Sequence, residues 1–406
     1  MKTFLIVDGN SILNRAFYGV RTLTNSKGLP TNAVYGMVTM LSKQIEAYSP
    51  DYMAIAFDLR APTFRHKMYD QYKANRKGMP EDLAVQLPYA KKAAVALGFK
   101  IIEKEGYEAD DILGTLSVMA KNSADDVRTL IMTGDRDSLQ LISDSVNVLL
   151  ATNNDYVLFD RSAFLEKYGV QPEQFVDVKA IMGDSSDNIP GISGIGEKGA
   201  LALISQFGSL EKIYSDYNSV GLKPAMLKKI EAGKESAFLS QTLARICTSV
   251  PDMPKLEDLA TEGINPQQAY ELFSELEFSA LIKKFELYST VIDTVNNSDY
   301  NIKSINDKNK LLELLDAPHV AVYFDGIKIY AFDGNSAADT EFDYDCAISL
   351  AGRASHIVSY DVKSLYRACD SLEVKLRSIA DDVMLAAYVL DSQGGHFFAS
   401  KSIGDI

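Results

Sequence analysis

Three apolar runs in this chain each lead into an aspartate. Phe4-Leu5-Ile6-Val7 precedes Asp8, Met53-Ala54-Ile55-Ala56-Phe57 precedes Asp58, and Leu130-Ile131-Met132 reaches Asp135 through Thr133 and Gly134. Short apolar runs bounded by turn residues and separated by helical stretches read as buried parallel strands. In an open α/β sheet, ligands sit beyond the carboxyl ends of such strands. The fold is therefore expected to gather the three aspartates at one sheet edge. Carboxylates held that close raise each other's pKa unless a cation neutralises them, so the pattern points to a metal site.

Further acids follow the same logic. Glu108-Ala109-Asp110-Asp111 opens an apolar helical stretch, with Glu108 and Asp111 one turn apart. Asp137 follows Asp135, and Asp184 and Asp187 share the segment Met182-Gly183-Asp184-Ser185-Ser186-Asp187-Asn188. An all-oxygen set suits hard divalent ions, Mg²⁺ or Mn²⁺. Zinc is disfavoured, because Cys247, Cys346 and Cys369 are scattered, as are His66, His319, His356 and His396. The competing explanation makes each acid a helix N-cap or turn residue. It accounts for Asp110 or Asp187 alone far better than for the whole set.

A length of 406 residues implies two or three domains. Contents of 47% hydrophobic and 24% charged residues are those of a globular protein. No apolar run reaches membrane-spanning length, and the run before Asp8 is too short for a signal-peptide core. Scattered cysteines suggest a reducing cytoplasm. The net charge of −14 argues against broad non-specific nucleic-acid binding but leaves room for a local basic face.

Residues 1–170 alternate strand-like and helix-like segments, with a further strand at Val146-Asn147-Val148-Leu149-Leu150, so an α/β sheet with crossovers is expected. Residues 171–290 read as helical, over Gln174–Met182, Glu197–Gln206, Pro224–Ala232 and Pro266–Phe278. The polar stretch Thr294–Asn301 reads as a linker. Residues 302–406 form a second α/β unit that reads as unfinished at Ile406. In it, Val320–Phe324 and Ile327–Phe332 flank Asp325-Gly326, a hairpin signal. Helices are expected over Val362–Leu372 and Asp382–Leu390.

Two features suggest nucleic acid. The segment Arg60–Lys77 carries Arg60, Arg65, His66, Lys67, Lys73, Arg76 and Lys77 against Asp70, interleaved with Phe64, Tyr69 and Tyr72. Read as a helix over 66–77, it puts Tyr69, Tyr72, Lys73 and Arg76 on one face. Such a face suits base stacking and phosphate pairing; the alternative is a solvated helix with its tyrosines packed beneath it. The second feature is the turn Gly191-Ile192-Ser193-Gly194-Ile195-Gly196-Glu197-Lys198-Gly199-Ala200 between two helices. Glycines there let backbone N–H groups and a helix N-terminus approach a phosphate, and Lys198 can add a charged contact.

Motifs in the chain resemble the 5′-nuclease (flap endonuclease-like) family. They are Val7-Asp8-Gly9-Asn10-Ser11, Ala56-Phe57-Asp58, Phe64-Arg65-His66, Tyr72-Lys73-Ala74-Asn75-Arg76, Gly106-Tyr107-Glu108-Ala109-Asp110-Asp111, Thr133-Gly134-Asp135-Arg136-Asp137 and the run from Ala180 to Gly191. The similarity spans residues 1–288. It implies a PIN-like α/β core, mostly parallel, with a helical arch over about Tyr69–Pro88, then a helical helix–hairpin–helix subdomain and a partial RNase H-like α/β domain. It also implies that Asp8, Asp58, Glu108, Asp110, Asp111, Asp135, Asp137, Asp184 and Asp187 hold two Mg²⁺ or Mn²⁺ ions. By the same resemblance, Lys73, Arg76 and Asp111 serve catalysis. Arg15, Tyr72, Lys73, Arg76, Gly194, Gly196 and Lys198 contact DNA, with K⁺ at the hairpin turn.

Residues 302–406 are similar to the 3′–5′ exonuclease-like domain of polymerase-fused members, with a departure. The strand Val322-Tyr323-Phe324-Asp325-Gly326-Ile327 lacks the Asp-x-Glu pair, and Leu365 stands where a second metal aspartate is expected. Asp382 reads as a remnant. No proofreading is expected, and no polymerase domain follows in this sequence, so the chain reads as a fragment or a short product.

The implied reaction is hydrolysis of DNA phosphodiesters near a 5′ end, on flapped, nicked or gapped duplex, by a monomer in the bacterial cytosol. Two ions about 4 Å apart would activate a water and stabilise the departing 3′-oxygen, while Tyr72 stacks on the terminal base. Two other classes compete. A non-catalytic DNA-binding module predicts binding without Mg²⁺-dependent cleavage. A small α/β ribonuclease lacks the hairpin half, so the run Gly191–Ala200 counts against it.

Overall fold

The apolar run of residues 4–7 is inaccessible on both faces, as a central parallel strand requires. In the computed structural model it forms β1 (Lys2–Asp8). Five more strands complete its sheet: β2 (Tyr52–Ala56), β3 (Lys100–Ile102), β4 (Val127–Thr133), β5 (Val146–Ala151) and β6 (Tyr156–Phe159). The order is β3-β2-β1-β4-β5-β6. Val7 pairs with Ile55 of β2 on one side and Met132 of β4 on the other, both in parallel, while β6 runs antiparallel to β5. The direction of winding reverses between β1 and β4, which is where a doubly wound sheet opens a crevice at its carboxyl edge. Asp8 ends β1, and Asp58 and Asp135 lie just past β2 and β4. The three aspartates therefore meet at the switch point.

The structure describes the chain except residues 77, 124, 153–154, 217–221, 288–304, 318–319, 353–356, 377–379 and 384–406. Its contacts separate two compact units, Met1–Glu277 and Phe278–Ile406. In the first, the crossovers carry α1 (Gly9–Gly19), α2 (Asn32–Tyr48), α3 (Phe64–Met68), α4 (Glu81–Ala84), α5 (Leu87–Ala96) and α6 (Ala109–Lys121). The apolar face of α6 (Ile112, Leu113, Leu116, Ala120) is sealed against the sheet. After α7 (Arg161–Tyr168) come α8 (Phe175–Met182), α9 (Glu197–Phe207), α10 (Leu210–Asp216), α11 (Pro224–Ala232), α12 (Lys234–Ala244) and α13 (Pro266–Glu275). Phe164, Tyr168 and Phe175 pack ring against ring at the join. One continuous core runs from Ile6 and Leu116 through Phe164 to Ile204 and Ile213, so sheet and helices position one another.

The helix expected over 66–77 is replaced by something else. Helix α3 stops at Met68, and residues 70–75 are turns. Lys73 takes a φ of +55°. Its N–H donates to the Asp187 carbonyl at 2.9 Å, Asn188 Nδ2 donates to the Gln71 carbonyl at 2.7 Å, and Asn75 Nδ2 donates to that of Ser185 at 2.7 Å. These bonds to a loop far along the chain override the local helical pattern, since propensity is a weak prior. The segment then returns to the core before Pro88, with Leu83 sealed and Gln86 Oε1 accepting the Ala33 N–H at 2.8 Å.

The second unit holds β7 (Ile305–Asn306), β8 (Val320–Phe324), β9 (Lys328–Phe332), β10 (Ala337–Glu341), β11 (Ile357–Ser359) and β12 (Ala380–Asp382), in the order β12-β11-β8-β9-β10-β7. The expected hairpin is present, with Phe324 opposite Ile329 and Gly326 at φ +103°. Leu311, Val322, Ile329, Leu350 and Leu365 share its core. A helix covers Val362–Ser371. Asp382 ends a strand; the rest of the expected helix to Leu390, like the stretch Thr294–Asn301, lies outside the described residues.

Candidate active site

Each strand-end acid is fixed by hydrogen bonds from the elements around the sheet edge. Asp8 caps α1: it accepts the Ser11 N–H at 2.9 Å and the Thr133 hydroxyl at 2.9 Å. Asp58 accepts the Ala109 N–H at 2.7 Å, tying the end of β2 to the start of α6. Asp135 accepts the Asp137 N–H at 2.9 Å, and Asp110 accepts from the Ser138 hydroxyl at 3.2 Å. All four line one cavity of about 700 Å³, together with Glu108, Asp184, Lys73, Arg76 and Lys179. Burial pushes the Asp8 carboxyl up to about 7, with Asp58 and Asp135 adding repulsion. Burial also drives Asp110 well above the carboxylate range, reinforced by Asp135 and Asp8, and raises Asp58.

A pinched loop brings the remaining acids. Gly183 (φ +72°) and Gly191 (φ +63°) lie back to back, and a Cβ on Gly183 would fall 2.6 Å from the Ile189 carbonyl oxygen. Only glycine fits there. Between them, Asp184 and Ile189 exchange backbone hydrogen bonds at 2.9 and 2.8 Å, closing the loop that carries Asp184 and Asp187. From α8, Lys179 Nζ reaches Asp137 at 2.5 Å and Asp184 at 2.8 Å. Burial would raise Asp184, but Lys179 and Ser186 hold it down at about 2. Asp137 goes the other way, to about 6, because burial and Asp135 outweigh Lys179. Glu108 receives Lys73 Nζ at 2.9 Å and Arg65 at 3.5 Å. Asp187 pairs with Arg76 and lies 3.7 Å from Lys73 Nζ.

Two expected roles are corrected. Asp111 does not face the cavity. It is fully buried, and its oxygens accept both Arg65 Nη groups at 2.7 and 2.8 Å, the Cys247 N–H at 2.8 Å and the Glu108 N–H at 3.1 Å. No acceptor capacity is left for a metal, so Asp111 is an anchor rather than a ligand or catalytic group. Arg65 extends that anchor to the carbonyls of Leu243 (2.9 Å) and Arg245 (2.8 Å). Tyr72 cannot stack on a base: it is 3% exposed, packs with Val176, Ile189 and Leu243, and donates to Glu108 at 3.1 Å.

The other expected residues are at surfaces. Arg15 lies over the Tyr156 ring at 5.8 Å and bonds the Thr152 carbonyl, lining a second cavity that shares Ser11 and Gly134 with the acidic one. Gly194 (φ +76°) and Gly196 are exposed on a turn whose Ile192 and Ile195 are buried in the core, and Lys198 is exposed in the first turn of α9. Lys229 Nζ donates to the Gly194 carbonyl at 2.8 Å. Sequence reasoning overlooked Arg65 as an anchor, Asn10, which accepts the Asp58 N–H at 3.1 Å, and Lys179. A lone lysine in the apolar run Val178-Lys179-Ala180-Ile181, just ahead of an acidic loop, was the available signal.

Among the described residues, no three side chains close on one ready-made ion position. Five of the nine acids (Glu108, Asp111, Asp137, Asp184 and Asp187) turn instead toward basic side chains.

Comparison with known proteins places this geometry. Residues 3–169 match the 5′–3′ exonuclease N-terminal resolvase-like domain, and residues 170–267 match the 5′–3′ exonuclease C-terminal SAM fold. This chain belongs to the 5′–3′ exonuclease family. It is 39% identical over 396 residues to DNA polymerase I of Caldicellulosiruptor bescii, a match that covers 96% of this chain and 46% of that protein. The chain thus spans less than half the length of that relative. A T5 5′-exonuclease with bound divalent metal ions (zinc) superposes with a TM-score of 0.51 at 26% identity, over 61% of this chain and 90% of that one. A bacteriophage T5 flap endonuclease, solved as a pseudo-enzyme–product complex with DNA and metal ions, superposes with a TM-score of 0.50 at 26% identity, over 61% and 90%. The two halves of a 5′–3′ exonuclease, resolvase-like sheet and helical SAM part, are both present in this chain, and both of these solved structures hold metal ions.

Proposed function

We propose that this chain hydrolyses DNA phosphodiesters near a 5′ terminus, on flapped, nicked or gapped duplex, with Mg²⁺ or Mn²⁺ held in the acidic cavity. The observation that carries this reading is the convergence of carboxylates from β1, β2, α6, the turn after β4 and the loop after α8 on a single pocket. The donor set fits a hard ion: it is all oxygen, and Asp8 and Asp110 are driven toward the protonated form until a cation compensates them. Asp8, Asp58, Glu108, Asp110 and Asp135 would hold one ion, and Asp137, Asp184 and Asp187 the other. When bound, the ions supply an activated water and a counter-charge for the leaving oxygen.

The chain's own groups position the strand. Lys73 and Arg76 stand on the wall of the cavity and bind the phosphate, adding positive charge where negative charge develops. Arg15, on the adjoining cavity, pairs with a neighbouring phosphate. At the hairpin, the backbone N–H groups around Gly194 and Gly196 and the Lys198 ammonium grip the duplex backbone without reading sequence. A K⁺ ion could share the hairpin carbonyls, with the Lys229 ammonium already on one of them. All these residues come from one chain, which supports action as a monomer, and the cytosol is the proposed compartment. Within a longer polymerase I-like protein, the unit would trim 5′ ends during replication and repair.

The test is cleavage of a labelled 5′-flap duplex with and without Mg²⁺, by the parent and by Asp110→Asn. The parent is expected to cut only with Mg²⁺, and Asp110→Asn to lose about a thousandfold in rate. Cutting that survives both chelation and the substitution would overturn the reading.

A further inference from the structure

Helix α8 is apolar and sealed: Phe175, Val176, Val178, Ala180 and Ile181 are at most 3% exposed. Two charged residues interrupt it: Asp177, which accepts from the Leu210 N–H and Gln241 Nε2, and Lys179, whose side chain is only 9% exposed. An ammonium so far from water persists only when paired with charge. Its Nζ meets Asp137 at 2.5 Å and Asp184 at 2.8 Å. The carboxylates across the cavity are treated differently. Asp8, Asp58, Asp110 and Asp135 are held by backbone N–H groups and hydroxyls, and among the described residues no basic side chain pairs with them.

We propose that Lys179 is a resident cation in one half of the acidic cavity, where its ammonium competes with the second divalent ion for Asp137 and Asp184. The inference rests on the metal-dependent reading above. The two ion positions are then unequal before any DNA arrives. In the half built on Asp8, Asp58, Glu108, Asp110 and Asp135, Lys73 is bonded to Glu108, while the other four acids have no basic partner within ion-pair distance among the described residues and stay free to bind an ion tightly. The half built on Asp137 and Asp184 already holds one positive charge a hydrogen bond away. A divalent ion entering there meets a like charge at close range in a medium of low dielectric. It must either displace the ammonium or wait for added negative charge, which the phosphate of a bound strand supplies. Lys179 thereby links occupancy of the second ion to the presence of substrate, and limits the metal-loaded state in its absence.

Calorimetric titration of the full chain with Mn²⁺, without DNA, tests this, alongside thermal melts at increasing Mn²⁺. The parent is expected to show one tight and one weak site. Lys179→Met, similar in length but uncharged, is expected to tighten the weak site by at least about tenfold and to enlarge the rise in Tm produced by Mn²⁺. Lys179→Arg is expected to behave as the parent. Should Lys179→Met fail to fold, Lys179→Gln removes the charge while keeping a hydrogen-bond donor. Isotherms of parent and neutral variant that superimpose, or a weaker second site in the variant, overturn the inference alone. A parent that binds no Mn²⁺ removes the metal-dependent reading and this inference with it.

Discussion

Two six-stranded sheets in this chain both place aspartates at the ends of parallel strands and use them differently. In Met1–Glu277, β1, β2 and β4 lead into Asp8, Asp58 and Asp135. In the second unit, β8, β11 and β12 lead just as directly into Asp325, Asp361 and Asp382. The cavity beside β8 and β11 is walled by Tyr323, Phe324, Ile327, Phe342 and Tyr360. Its acids are committed to local structure. Asp325 accepts the N–H groups of Ile327 and Lys328 at 2.8 and 2.7 Å, Asp361 caps the helix that follows it, and Asp382 accepts the Val362 N–H at 3.1 Å. Leu365, in the place expected for a metal aspartate, is a core residue. A parallel sheet edge supplies a location; the residues at the strand ends decide whether chemistry happens there.

The largest effect should separate the two edges outright. In single-turnover flap cleavage, Asp8→Asn is expected to cost about a thousandfold, while Asp325→Asn and Asp382→Asn stay within about twofold of the parent. A large loss from either second-unit change would break the comparison. Next comes the anchor beneath the active edge. Arg65→Ala or Asp111→Ala leaves a buried charge unpaired and should lower stability by about 3–5 kcal/mol, read as a shifted urea midpoint. The double change should cost less than the sum, because both singles break one interaction.

Titration sharpens the contrast further. Asp8 and Asp137 are raised in the folded chain to about 7 and about 6, against an unfolded value near 3.9. The folded state then holds protons that the unfolded state releases, so without metal the first unit loses stability as pH rises from about 4 through about 7. Asp184 acts in the opposite sense at the acid end: its stabilisation is complete above about 4 and lost as pH falls toward about 2. In the second unit Asp325, Asp333 and Asp343 are all lowered, by backbone and lysine partners against the push of burial at Asp325 and Asp343 and by backbone N–H groups at Asp333. These groups favour the fold at neutral pH and withdraw that support on acidification. Stability read by hydrogen exchange at pH 5 and pH 8 should therefore fall with pH in the first unit and stay level in the second, whose loss comes only below about pH 4, with Mg²⁺ flattening the first. The smallest effect is expected at the hairpin. Lys198→Ala should weaken duplex binding modestly and reduce the salt dependence by about one unit of slope, leaving the rate at saturating DNA unchanged.

Much of the active edge could be read from the chain itself. Strand-end aspartates declare their position because a buried parallel strand has one exit at its carboxyl end, so Asp8, Asp58 and Asp135 were placed by residue order alone. The glycine turn that starts at Gly191 and includes Gly194 was legible for a similar reason, since few residues tolerate those backbone angles; the pinch of Gly191 against Gly183 was not. What stayed hidden depended on contacts between distant segments. The residues from Tyr69 to Arg76 carry a helical spacing, yet their bonds to Ser185, Asp187 and Asn188 bend them into turns and bury Tyr72. Asp111 reads as one more acid in Glu108-Ala109-Asp110-Asp111. Only the fold shows that it points into the protein at Arg65, one helical residue round from Asp110.

The central claim is that acids from separate segments form one pocket that demands divalent cations. Anomalous diffraction from crystals of the full chain grown with Mn²⁺ tests it directly. The account predicts an anomalous peak in the cavity bounded by Asp8, Asp58, Asp110 and Asp135, lost in Asp110→Asn. A saturated crystal with no Mn²⁺ in that cavity would contradict it.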